Sequence, residues 1–372
     1  MSIRNFLDRT KTFISSLPGT PHECPTPSKP TKSTLFPIVD PAIDGEDCLH
    51  DCASCPVEYP RAFTKIGINE DDELWGKVNE YGVHAIVATG KTDWLRDVED
   101  EKGSVMMALG KEAKRSDCQK LMISASNMPP PPEYYVAEEQ NKPMPTTVLI
   151  LPSFIVVTNV TPEDTPELVR RFVYSGPTTR TPLTTVETAT PAPPSPPDSG
   201  SEIAYEPPAE KADLTISESL ALRFAVASLD HPSSQTTQIP LSINDKLSSH
   251  PCPHSYIVLL CSHKRRDARC GISAPILARE FERHLRPLGL HRDLSDTRYG
   301  GVGLYFINHV GGHKYSANVL IYRKEDGMGV WLARVAPKHV EGIVKYTICQ
   351  GKIVNPDMIR GGFYRKTGVV SW

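Results

Sequence analysis

No apolar run in the chain approaches the ~20 residues that a membrane-spanning helix needs, so no transmembrane segment is expected. The N-terminus lacks an apolar signal-peptide core followed by a small-residue cleavage site, which argues against secretion. Long runs of basic residues are also missing, so nucleic acid is a poor candidate partner. Aromatic residues make up only 7% of the 372 positions and hydrophobic residues 39%, too little for a fully packed chain of this length. Part of the sequence should therefore lie outside any core. Gly90-Lys91-Thr92 has the end of a phosphate-binding loop but not its beginning: position 85, where GxxxxGK[ST] needs glycine, is Ala85.

What is abundant is proline, 35 residues, about twice the ~5% average usage. Nine of these fall between positions 176 and 212, among many Thr and Ser. No packed core forms from that composition, and it reads as a linker. The chain then divides into a disordered tail (1–45), an N-terminal α/β domain (46–175), a disordered Pro/Ser/Thr-rich linker (176–213), a connecting helix and loop (214–249) and a C-terminal α/β domain (250–372). The net charge of -3 conceals an asymmetry: from Pro251 onward there are 19 Lys and Arg against 9 Asp and Glu, and the first 250 residues are acidic. Oppositely charged surfaces can attract each other or steer an acidic partner to the basic half. Ile3, Phe6, Leu7, Thr10, Phe13, Ile14 and Leu17 fall at helical spacing, with Arg4, Arg9 and Lys11 off the stripe. Such a helix could address a mitochondrion, although Asp8 is out of place in a presequence.

In the N-terminal domain, residues 83–88 read as a buried strand, 103–122 as a helix, 147–157 as a strand interrupted by Pro152, and 165–174 as a helix. The C-terminal domain begins with Tyr256–Cys261, a continuous apolar strand. A polar loop runs to Gly271, and Ser273 with Pro275 signals a helix start. Strands over 303–308, 317–322 and 329–335 and a helix over 338–348 complete a small α/β domain, with a thioredoxin-like plan as the nearest common arrangement.

Nine cysteines in a chain with no sign of secretion point to metal or redox chemistry. Cys261 ends a strand and Cys270 follows after eight intervening residues. His309 and His313 flank Val310-Gly311-Gly312 at the end of another strand. Either pair alone could be ordinary, a core thiol or a polar turn. Together they form a four-ligand set that suits zinc or a [2Fe–2S] cluster. The eight-residue gap exceeds usual zinc-finger spacing and leans toward the cluster. Arg265, Arg266 and Arg269 lie in the Cys loop, where positive charge favours thiolate and offsets the charge of a thiolate-bound metal. A second group, Cys48, Cys52 and Cys55 with His50, could bind a metal or act as a thiol switch, but its spacing is loose. Cys24, Cys118, Cys252 and Cys349 look isolated and inert.

The stretch Cys261-Ser262-His263-Lys264-Arg265-Arg266-Asp267-Ala268-Arg269-Cys270-Gly271, with Asn308-His309-Val310-Gly311-Gly312-His313 and Asn318, closely resembles the sucrase/ferredoxin-like family. The likeness extends to Trp94, to Arg292-Asp293 with Ser295-Asp296, and to Trp331 through Val335. It implies a thioredoxin-like ferredoxin fold and a bis-histidinyl [2Fe–2S] cluster held by Cys261, Cys270, His309 and His313, serving one-electron transfer or redox sensing. The alternatives are a zinc-stabilised interaction module and a thiol oxidoreductase built on Cys48, Cys52 and Cys55. The C-terminal Val370-Ser371-Trp372 resembles the tail by which cytosolic iron–sulfur proteins are recognised by the cluster-targeting machinery. That address favours the cytosol, with the nucleus open to it, over the mitochondrion. The other reading of Trp372 is packing against Phe363 or Tyr364.

Overall fold

The computed structural model describes residues 30–45, 59–115, 120–140, 142–183 and 246–372. The N-terminal amphipathic stretch, Cys24, Cys48, His50, Cys52, Cys55, Cys118, most of the Pro-rich linker and the connecting helix read from the sequence lie outside them. Among the described residues no helix is long and apolar enough to cross a membrane.

Twelve strands form one mixed sheet. The first half contributes β1 (Val83–Ala88), β2 (Leu121–Ser126), β3 (Thr146–Leu151) and β4 (Ile155–Val160), with helix α1 (Val105–Arg115) between β1 and β2. Helix α2 (Pro132–Glu139) precedes β3, and α3 (Thr165–Leu168) follows β4, continuing as a π turn over Val169–Tyr174. After β5 (Ser248–Pro251), the second half repeats the plan. It has β6 (Tyr256–Cys261), helix α4 (Ala268–Leu285), β7 (His291–Arg292), β8 (Val302–Ile307), β9 (Val319–Arg323) and β10 (Met328–Leu332). A short α5 (Val340–Gly342) again runs into a π turn, Ile343–Ile348, before β11 (Ile359–Tyr364) and β12 (Val369–Val370).

The repeat is topological. Strands β1 and β2 are parallel, as are β6 and β8; β3 and β9 lie antiparallel on the other side of β1 and β6, each followed by its hairpin partner. Both halves therefore read fourth, third, first, second across the sheet, the thioredoxin-like order. They meet where β2 pairs with β8, and that pairing is a single residue pair, Ser126 with Ile307. The side chains of Asn127 and Asn308 extend it. Asn127 Oδ1 accepts from Phe306 N at 2.8 Å, and Asn308 Oδ1 accepts from Ala125 N at 2.9 Å.

Burial explains the strand sequences. Both faces of the central strands are covered, so β6 is a continuous apolar run rather than an alternating one. Val258 and Leu260 share a core with Leu277 and Phe281 of α4 and Val340 of α5. Ile257 and Leu259 turn the other way and join Ile86, Leu149 and Leu151 of the first half in one shared core. A third cluster lies under α1, with Leu109, Val87 and Phe172. Within the shared core, His84 Nδ1 and Tyr322 Oη are 2.8 Å apart, Tyr322 and Tyr81 hydroxyls 3.0 Å, and His84 Nε2 and Ser124 Oγ 2.8 Å.

Several expectations change. The helix expected over 103–122 ends at Arg115, and its last residues are strand β2. The strand expected over 147–157 is a hairpin turning at Pro152. Helix α4 starts at Ala268, ahead of the Ser273–Pro275 signal, because Asp267 caps it by accepting from Arg269 N at 3.0 Å. The part of the N-terminal tail that is described is packed: Leu35 and Phe36 are buried on the second half, and Ile38 bridges to Ile353.

Candidate metal centre

Two strand ends bring the site together. Because β6 and β8 are parallel neighbours, Cys261 and Ile307 pair directly, so Cys261 and His309 leave the sheet at the same edge. Cys261 is 1% exposed and Cys270 fully buried. Cys270 lies in the first turn of α4, where the helix dipole favours a thiolate. The two thiols act on each other: the neighbouring Cys261 sulfur, with His309 and Ser316, holds the Cys270 thiol below its usual range. The neighbouring Cys270 and burial push the Cys261 thiol well up. The sulfurs and a His309 ring nitrogen all lie within 4.8 Å of one another, a group able to hold a metal ion.

Gly311 and Gly312, both at positive φ (90° and 69°), turn the chain back so that His313 faces His309. His313 Nδ1 is 3.4 Å from His309 Nε2, and His309 Nδ1 is 3.9 Å from Cys261 Sγ. On its outer side His313 Nε2 is 3.8 Å from Asp267 Oδ2, and its side chain is 46% exposed. The centre thus has a buried sulfur end and an open imidazole end. A carboxylate behind an imidazole fixes the ring and its tautomer when the other nitrogen binds metal.

The first half walls the site. The loop after β1 meets the Cys loop: Ser262 Oγ donates to Thr92 O at 3.2 Å, and Arg265 N to Asp93 Oδ1 at 3.1 Å. His263, unremarked in the sequence beyond its place in the motif, is buried at the hub. Its ring stands edge-on to Trp94, centroids 5.7 Å apart. His263 Nε2 donates to Trp94 O at 3.1 Å, leaving Nδ1 to accept from His309 N at 3.4 Å. Both bonds together require neutral imidazole, and burial lowers the His263 pKa accordingly. From the other side, Asp72 accepts from Tyr315 Oη at 2.7 Å and Lys314 Nζ at 2.6 Å, pinning the turn after His313.

Two of the three Cys-loop arginines turn away from the sulfurs, and the third, Arg269, acts on Cys270 while paired with Asp267. Arg265 and Arg266 are exposed and turn to Asp93 and Arg96 O. Arg269 is bound by Asp267 through two bonds and by Gly67 O. A buried cation at the site comes from β11: Arg360, 4% exposed, bonded to Gly311 O, Asn318 Oδ1 and Lys77 O. Beside His309 a cleft of about 490 Å³ opens, lined by Lys77, Tyr81, Met122, Trp331 and Arg360. Cys252 and Cys349 stand apart, and burial raises both thiols to about 11, as suits inert groups.

Fold and site define a class: a mixed α/β protein with thioredoxin-like strand order and a Cys/His centre at the carboxyl ends of two parallel strands. The chain belongs to the sucrase/ferredoxin-like family, whose model matches residues 74–361. It is 27% identical over 319 residues to actin patches distal protein 1 of Saccharomyces cerevisiae, covering 83% of this chain and 82% of that one. It is 43% identical over 108 residues to altered inheritance of mitochondria protein 32 of Clavispora lusitaniae, and 41% over 105 residues to that of Meyerozyma guilliermondii. Those matches span 29% and 28% of this chain and 35% and 34% of the respective relatives. No solved structure matches.

Proposed function

We propose that the protein is an iron–sulfur redox carrier holding one [2Fe–2S] cluster through Cys261, Cys270, His309 and His313. The observation that carries the reading is the convergence of both sulfurs and a His309 nitrogen within 4.8 Å, with His313 Nδ1 3.4 Å from His309. The donors fall into a buried thiol pair and an imidazole pair, a division that suits two irons. When bound, such a cluster accepts and returns one electron, and two neutral imidazoles in place of thiolates raise its potential. The residues of this chain supply the rest. The buried cysteines exclude water from the sulfur end. His263 and the glycine turn orient His309. His313 faces solvent with Asp267 Oδ2 3.8 Å behind its Nε2, a carboxylate that orients the ring.

The test is anaerobic purification with a visible spectrum and analysis for iron and acid-labile sulfide. An iron and a sulfide content matching one [2Fe–2S] cluster per chain, with visible absorption, supports the reading. Stoichiometric zinc without colour replaces it with a zinc-stabilised interaction module. A reactive low-pKa thiol persisting in a Cys261→Ser, Cys270→Ser double variant favours the thiol oxidoreductase.

The same reading puts the protein in the cytosol and nucleus rather than the mitochondrion, with Val370-Ser371-Trp372 as the contact for the cytosolic cluster-targeting machinery. The tail is not free, as a short polar ending would suggest. Ser371 Oγ accepts from Gly362 N at 2.9 Å, and Trp372 packs on Tyr81 and Phe363. Its Nε1 is buried there without a partner, so another protein can reach that donor only once the ring leaves its seat.

A further inference from the structure

Among the described residues, Arg360 is a buried cation with no carboxylate paired to it. Its Nη1 donates to Gly311 O at 3.1 Å and Asn318 Oδ1 at 2.8 Å, and its Nη2 to Lys77 O at 2.6 Å. All three acceptors are neutral. The guanidinium also lies over Trp331 and Tyr315, 5.1 and 5.6 Å from the ring centroids. Its Nε is buried and unpartnered. By contrast, the equally buried Arg323 has Asp326 at 3.0 Å and Glu325 at 3.6 Å. Taking a guanidinium out of water without a counter-charge is costly. Burial lowers the Arg360 pKa to about 10, with the Tyr315 hydroxyl and the Cys261 sulfur pulling the other way. The backbone is shaped around this group: a Cβ on Gly312 would stand 2.5 Å from Arg360 Nη2. Arg265 and Arg266 turn to Asp93 and Arg96 O. Arg269 is paired with Asp267, although its charge also acts on Cys270. Arg360 acts on Cys261 and holds the glycine turn with no carboxylate of the described residues bonded to it.

We infer that Arg360 is the counter-charge of the Cys/His centre, holding the His309–His313 turn and raising the centre's reduction potential. The inference rests on the cluster reading above. Two thiolates and two neutral imidazoles leave the centre one unit more negative after it takes an electron from an external one-electron donor. A fixed positive charge in a low-dielectric wall stabilises that reduced form over the oxidised one.

The test is an anaerobic redox titration of the full-length protein with dithionite, followed by visible absorption. Arg360→Gln removes the charge. Asn318→Asp neutralises it in place, giving the guanidinium a carboxylate where it now meets an amide. Both should shift the reduction equilibrium at least tenfold toward the oxidised form, which is about 59 mV for one electron. Arg360→Lys keeps the charge and Asn318→Leu leaves it unneutralised. Both should stay within about twofold of the parent. If Arg360→Gln fails to fold, judged by circular dichroism, the near-isosteric Asn318→Asp against Asn318→Leu decides. Asp and Gln variants with the parent's potential would make Arg360 a brace only and overturn the inference while leaving the cluster standing. A parent protein with no visible absorption and no sulfide would overturn both.

Discussion

Removing Trp372 separates two roles for the C-terminal tail. The indole lies 4.9 Å from the Tyr81 ring and 6.3 Å from Phe363, and Arg180 Nη2 donates to Trp372 O at 3.2 Å. Aromatic pairs contribute ~0.5–1.5 kcal/mol each beyond area burial. A half-buried ring adds about 1 kcal/mol more. The seat is therefore worth about 2–4 kcal/mol, or roughly 30- to 700-fold in favour of the docked tail. Any machinery that grips the tail loses that factor in apparent affinity. Deleting Trp372 should lower stability in denaturant by this amount, leave the cluster poorly loaded in cells, and allow chemical reconstitution in vitro. Tyr81→Leu removes the seat and keeps the tail; it should cost more stability, because the buried Tyr81 hydroxyl also bonds Tyr322, while loading normally. Full iron loading in cells after the deletion would end the targeting reading. An unchanged denaturation midpoint would refute the packing argument.

Cys261→Ser and Cys270→Ser should each abolish the visible spectrum, and retention of the full spectrum in both would remove them as ligands. His309→Cys and His313→Cys should keep a cluster but lower its potential and flatten its pH dependence, read by redox titration from mildly acidic to mildly alkaline pH. Gly312→Ala, strained at φ 69° and pressed on Arg360, should cost about 1–3 kcal/mol in unfolding and loosen the histidine turn, seen as a changed visible spectrum. Burial holds His84 at about 3 and His254 and His339 at about 4, below the ordinary 6.5. The folded state therefore binds fewer protons than the unfolded one. Stability should be full above about pH 6.5 and fall toward about pH 4, by ~1.4 kcal/mol per pH unit for each histidine. His84→Gln should flatten that acid limb by about one proton in equilibrium unfolding across roughly pH 4–7.

The candidate residues stand out in the sequence because they are local in pairs: two cysteines bracket one loop and two histidines one glycine turn, and the fold brings Cys261, Cys270 and His309 within 4.8 Å. Strand β6 was readable because a doubly covered strand is continuously apolar. Strand β2 was not, since Leu121-Met122-Ile123 continues the apolar spacing of the helix before it. The start of α4 was misjudged because Pro275 is a strong start signal, whereas here it sits inside the helix and the quieter Asp267 caps it. Arg360 had no local signature at all. It lies 49 residues beyond the Gly311 carbonyl it holds, on a strand that carried no motif, and only the closing of the sheet brings it to the site.

The duplicated plan of the two halves has a consequence for how the protein can be divided. All four candidate ligands belong to the second unit, yet the loop from Thr89 to Trp94, the corresponding strand end of the first, forms the wall on which His263 rests. The unit without the candidate residues acts as a fixed wall for the unit with them. Residues 246–372 alone would bare Ile257, Leu259, Tyr305 and Tyr322, side chains that the shared core now covers. Natural substitutions at Thr92, Asp93 or Trp94 would then behave as defects of the centre, although they stand far from its cysteines in the chain and in the other half of the sheet.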